Sequence, residues 1–200
     1  MTDPDLGLAL PLPVASAELE DRLARRRSAP AQALAAPGPT QDQIARILEL
    51  GARTPDHGKL FPWRFVVLGP TSRTTLAEGL VPLAARQPQP DKARAVLGKL
   101  TAAPVTVLVV SAPVPSQKVL VWEQQLSAGA VCMNLEHAAG ALGFSTSWIT
   151  DWYSYDAEAL ALLGLTEGEQ VAGFIHIGTL AEPPLERPRP DLSAKVEYRD

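Results

Sequence analysis

The chain has 200 residues, 46% of them apolar and 20% charged, which suits one domain with a substantial core. Its formal net charge of −4, with basic residues that form no stripe, argues against a nucleic-acid or anionic-membrane partner. No apolar run approaches the roughly 20 residues that cross a bilayer, and Met1–Val14 lacks the basic and apolar regions of a signal peptide.

Residues 1–15 read as an N-terminal tail and residues 16–200 as a single domain. Ser16 is placed to cap a first helix, with Glu18 and Glu20 in its first turn and arginines in its last, a charge order that complements the helix dipole. Pro30 predicts an end near Arg27. Ala35–Pro39 is a loop. Thr40 caps a second helix through Arg53, where Ile44, Ile47 and Leu48 share a face and Pro55 stops the turn. Trp63–Leu68 reads as a strand closed by Gly69-Pro70, Thr71 to about Ala85 as a helix, and Asp91–Leu100 as another. Val105–Val110 is continuously apolar and β-branched, the pattern of a strand buried on both faces.

Val119–Leu142 is the longest helical stretch. Cys132 lies in its apolar pattern, so a buried, inert thiol is expected, and a single cysteine fits a reducing cytoplasm. The small residues Ser127-Ala128-Gly129-Ala130 suit either ordinary internal packing or close approach by another helix. Phe144–Ile149 is a strand, Asp156–Leu163 a short helix, and Gln170–Ile177 a strand ending at Gly178-Thr179. A Pro-rich tail follows Pro183, with Lys195–Tyr198 as an added edge strand. Helices interleaved with a few strands predict an α+β fold with one mixed sheet.

Three separated stretches carry chemistry. Arg26-Arg27-Ser28 is either a solvated helix end or a cationic fork with a hydroxyl, the donor set a phosphate monoester needs. Arg53-Thr54-Pro55-Asp56-His57 is a helix end and turn that also presents a cation and an imidazole. Gly143-Phe144-Ser145-Thr146-Ser147-Trp148-Ile149-Thr150 is a strand that leaves a long helix. No His, Cys or carboxylate cluster has metal-ligand spacing, so no metal site is expected, and neither a Rossmann fingerprint nor a P-loop is present.

In this order the three stretches resemble the flavin-dependent nitroreductases, in particular their small single-domain branch, the putative NAD(P)H nitroreductases. The resemblance spans roughly residues 20–190, since Trp122-Glu123-Gln124 with Ser127-Ala128-Gly129 matches the family's central helix and Gly173–Thr179 its last core strand. It implies a mainly antiparallel central sheet flanked by helices, with the long helix at a homodimer interface and flavin sites between subunits. It assigns cofactor contacts to Arg26, Arg27, Ser28, Arg53, His57, Trp148, Ile149, Thr150, Gly178, Thr179 and Arg189. No side chain is expected to act as general acid or nucleophile, because flavin N5 carries the chemistry.

The implied activity is ping-pong hydride transfer from NAD(P)H through FMN to a nitroaromatic, quinone or similar activated acceptor, in the cytoplasm. Two positions depart from the family pattern. Pro30 stands where a basic residue is common, making Arg53 the candidate replacement, and Asp151 stands where glycine is common. A dimeric flavin-binding protein without efficient turnover is the alternative that these departures suggest.

Overall fold

The computed structural model describes residues 7–199. Capping side chains open the first two helices. Ser16 Oγ accepts from Leu19 N to open α1 (Ala17–Arg25), and Thr40 with Gln43 forms a reciprocal capping box at α2 (Gln41–Gly51). Then come β1 (Trp63–Leu68), α3 (Pro70–Ala84), α4 (Pro90–Ala95), α5 (Gly98–Ala102) and β2 (Val105–Ser111). The chain continues through α6 (Val121–Ala141), β3 (Ser145–Ile149), α7 (Ala157–Leu162) and β4 (Gln170–Gly178).

The four strands form one sheet in the order β1-β2-β4-β3, and every pairing is antiparallel. Each residue of β2 is buried, because alternate side chains serve two cores. Val107 and Val109 pack with Ile47 of α2 and with Val131 and Leu135 of α6. Leu108 and Val110 pack on the opposite face with Leu80, Leu100 and Tyr153. The sheet is thus a layer between α2/α6 on one side and α3, α4, α5 and α7 on the other. Cys132 is fully buried on the α6 side, and burial pushes its thiol up to about 12.

Leaving α6, Gly143 takes a left-handed φ of 87°, which lets Phe144 N–H reach back to Ala139 O at 3.0 Å before β3 begins. This turn brings β3 back beside α6 and places Thr146 against Glu136.

The sequence expectations need adjustment in four places. The one sheet, expected to be mixed, is antiparallel throughout among the described residues. α1 stops at Arg25, and Arg26 is extended (φ −56°, ψ 131°), because the segment after it docks on β3 through Ala29 N–H to Thr146 O at 2.8 Å. The helix expected over 91–100 is divided into α4 and α5 by tightened turns at Val96 and Leu97, ahead of the poor helix former Gly98. Lys195–Tyr198 forms no strand, since the tail instead makes one 3₁₀ turn at Leu192–Ala194, capped by Asp191. Of the expected N-terminal tail, residues 1–6 lie outside the described residues, and Gly7–Val14 is exposed.

Candidate functional site

A cationic cavity of about 310 Å³ lies where α1, α6 and β3 meet. Arg22, Arg25, Arg26 and Arg27 line it together with Asp21, Glu136 and Phe144–Thr146. Extension of the chain at Arg26 creates it, since a continuing helix would carry the next two residues away from β3. Arg25 is paired with Asp21. Arg26 Nη1 lies 3.7 Å from Glu136 Oε2, too far for a hydrogen bond. Arg27 Nε donates to Leu185 O at 2.9 Å, and Arg189 Nη2 donates to Arg26 O at 3.3 Å. The Pro-rich tail therefore returns to the residues of this cavity and brings Arg189 beside Arg26, where it also pairs with Glu186 Oε1 at 2.9 Å. Ser28 is half-buried in the same segment.

Two buried polar atoms here lack partners, Arg22 Nε and His137 Nδ1. Burial, together with Arg22 and Arg26, pushes the His137 ring below its ordinary range. Of the two, Arg22 Nε–H is a donor whatever the His137 tautomer, and an uncompensated buried donor beside clustered guanidiniums is costly unless an acceptor enters. An anion with several oxygens, such as a phosphate monoester, fits this donor set.

Trp148, Ile149 and Thr150 follow directly along β3. Trp148 packs toward α6, its Nε1–H donating to Ala172 O at 3.1 Å, while Ile149 faces the opposite core. Thr150 is exposed and accepts from Tyr155 Oη at 3.0 Å. Asp151 does not demand the freedom of glycine. Its backbone is extended (φ −146°), and its carboxylate caps Trp152 N–H at 2.9 Å and pairs with Lys99 Nζ at 2.9 Å. Gly178 and Thr179 hold the segment after Ser28. Thr179 exchanges two backbone hydrogen bonds with Ala35, both 2.9 Å, and its Oγ1 donates to Pro37 O at 2.7 Å. A side chain at Gly178 would meet Ala35 O at 2.9 Å.

Arg53 and His57 lie elsewhere in the chain. Both are exposed, on the turn after α2. Asp56 organises that turn by accepting from Leu60 N–H at 2.7 Å, which supports left-handed backbone at Lys59 and Phe61. Asn134 Nδ2 donates to Thr54 Oγ1 at 2.7 Å, Ser127 Oγ donates to Pro55 O at 2.9 Å, and His57 Nδ1 lies 2.7 Å from Glu123 Oε2. At 100° per residue, Glu123 and Asn134 point about 200° round the α6 axis from Glu136. One chain therefore sets Arg53 and His57 across α6 from the arginine cavity. Between them runs an exposed stripe of α6 containing Trp122, Leu126 and Ala130, with half-buried Gly129 and Met133.

The model of the Nitroreductase family matches residues 23–179. The chain belongs to the nitroreductase family. It is 34% identical over 161 residues to the Escherichia coli (strain K12) protein named "Putative NAD(P)H nitroreductase YdjA", covering 78% of this chain and 85% of that one. A Haemophilus influenzae protein named "Putative NAD(P)H nitroreductase" is 34% identical over 151 residues, 73% of this chain and 80% of that one. Among solved structures, a nitroreductase-like family protein from Bacillus cereus superposes with a TM-score of 0.80 at 19% identity, over 96% of this chain and 99% of that one. A nitroreductase with bound FMN from Bacteroides fragilis gives 0.70 at 23% identity, over 93% and 100%. The fold is that of these nitroreductases.

Sequence reasoning missed Arg22, Glu123 and Glu136. The available signal for Glu136 was a lone carboxylate between Leu135 and His137 in the late, otherwise uncharged half of α6, where a solvated face would carry several charges.

Proposed function

We propose that this chain is an FMN-dependent NAD(P)H oxidoreductase that reduces nitroaromatics, quinones or similar activated acceptors, and that it works as a cytoplasmic homodimer. The observation that carries the reading is the arginine cavity, whose lining residue Arg22 has a buried Nε–H without a partner, beside the strand that leads on to Trp148–Thr150.

Arg26, Arg27 and Ser28 would hold the phosphate and the adjoining chain of FMN, with Arg189 closing over them from the tail. Trp148, Ile149 and Thr150 would run along the ring system, and Gly178 and Thr179 would fix the strand and loop behind it. When bound, FMN supplies hydride acceptance and donation at N5. The protein's task is then to bind, orient and exclude water, so no general acid is needed.

Arg53 and His57 serve such a site only from a second copy. The α6 stripe between the two half-sites suits that assembly: Trp122 is 65% and Leu126 54% exposed, and a Cβ at Gly129 would meet nothing within 4 Å in its own chain. Two stripes packed about a twofold axis would bring the Arg53–His57 turn of one copy toward the cavity of the other. Arg53 would then supply a cation near the ring, in place of the one absent at Pro30. Steady-state oxidation of NADH and NADPH with a quinone acceptor tests the reading. Turnover that requires FMN is expected, and a flavin-loaded protein that oxidises neither nucleotide would make it a flavin carrier instead.

A further inference from the structure

A buried carboxylate stands beside the arginines. Glu136 is 3% exposed, yet it sits on the wall of a cavity built to receive an anion. A carboxylate there opposes the phosphate that the arginines attract.

Its surroundings show how both are accommodated. From α1 and the segment after it, Arg22 Nη2 donates to the Glu136 backbone carbonyl at 3.3 Å, and Arg26 faces the carboxylate at 3.7 Å. From β3, Thr146 Oγ1 donates to Glu136 Oε1 at 3.0 Å, and the Trp148 backbone N–H also favours the charged form. On α6 itself the titratable neighbours are His137 and Cys132. The remaining charges at the cavity are already paired, Arg25 with Asp21 and Arg27 with Glu186 of the tail. Arg22 reaches the Glu136 backbone carbonyl rather than its carboxylate, so Arg26 is the lining guanidinium that the Glu136 carboxylate and an entering phosphate would share.

We infer that Glu136 is a positioning residue that acts through Arg26: it holds the guanidinium at the cavity while no phosphate is present, and takes up a proton when the phosphate enters. The proton comes from solvent, so cofactor binding consumes it, and above about pH 7, where a phosphate monoester is already a dianion, no other group need change charge. The inference rests on the proposed FMN-phosphate role of Arg26. Its direction agrees with burial, which already pushes the Glu136 carboxyl above the usual carboxylate range despite Thr146 and Arg26. Burial, Arg22 and Arg26 push the His137 ring down, while Cys132, pushed up to about 12, already holds its proton near neutral pH.

Calorimetric titration of the apoprotein with FMN, in buffers of differing ionisation enthalpy between about pH 7 and 8.5, where the free phosphate monoester is already a dianion, counts the protons taken up. The wild type should take up more protons per FMN than Glu136→Gln, and the variant should bind FMN more tightly at the alkaline end, by about tenfold. Riboflavin, which has no phosphate, should show no such uptake in the wild type, a comparison that needs no variant. Equal proton counts for FMN and riboflavin, or for wild type and Glu136→Gln, would overturn the inference while leaving the FMN site standing. FMN binding no tighter than riboflavin would overturn the phosphate anchor itself, and the inference with it.

Discussion

Replacing Arg26 with alanine separates what the residue does for the fold from what it does for the cofactor. Its guanidinium makes no side-chain hydrogen bond within 3.5 Å and lies 3.7 Å from Glu136 Oε2, with 28% of the side chain exposed. Thr146 still donates to Glu136 in its absence, and the carboxyl can relieve its lost partner by holding a proton. The fold should therefore lose on the order of 1 kcal/mol. The cofactor should lose a charge-assisted bond to phosphate, about 1.5–3 kcal/mol, or roughly 10- to 150-fold in affinity. Quenching of flavin fluorescence during titration with FMN and, in parallel, riboflavin measures the two effects apart. FMN affinity should fall by that factor while riboflavin affinity changes by less than about twofold. A variant that binds FMN as well as the wild type, or that loses riboflavin equally, would refute the assignment of Arg26 to the phosphate.

Gly129→Leu should weaken dimer and flavin binding together without unfolding the chain, because its side chain points into open space in one subunit; sedimentation beside flavin content checks it, and a flavin-loaded monomer would contradict it. Arg53→Ala should retain most of its FMN but lower the flavin's midpoint potential in reductive titration against a reference dye, since the charge gained on reduction loses a nearby cation. An unchanged potential would show that Arg53 has another role. Burial beside Arg73 and Lys99 pushes His176 down to about 4, so its contribution to stability is intact above its unfolded value near 6.5 and is lost as pH falls through 4. Thermal melting from pH 7 to 4 should show a loss of about 3 kcal/mol that His176→Gln largely removes, and equal slopes in both proteins would contradict it.

Periodicity and capping made most of the fold legible, because they are local. Thr40 and Gln43 announce α2, and the unbroken Val105–Val110 run announces a strand covered on both faces. The ends of α1 and of the chain were less legible because tertiary bonds decide them: Ala29 to Thr146 for the first, and the return of Arg189 to Arg26 for the second. The same holds for the site. Arg26, Arg27, Ser28 and Trp148 could be picked out as residue types; the structure puts Arg26 and Arg27 on one cavity wall, with Ser28 next in the chain and Trp148 two residues along β3 from the lining residue Thr146. That Arg53 and His57 sit across α6 follows only from the docking of Thr54 on Asn134 and of His57 on Glu123. Asp151 illustrates the opposite limit. Its residue type raised the question of left-handed backbone, and its observed extended geometry with a bond to Lys99 removes that question.

The flavin content of the purified protein tests the central claim most directly. The protein should be yellow, or become so on incubation with FMN and gel filtration. Chromatography of the flavin released by denaturation should give about one FMN per chain, as expected for one arginine cavity in each subunit. A protein that remains colourless after FMN is added and the excess removed would contradict the account.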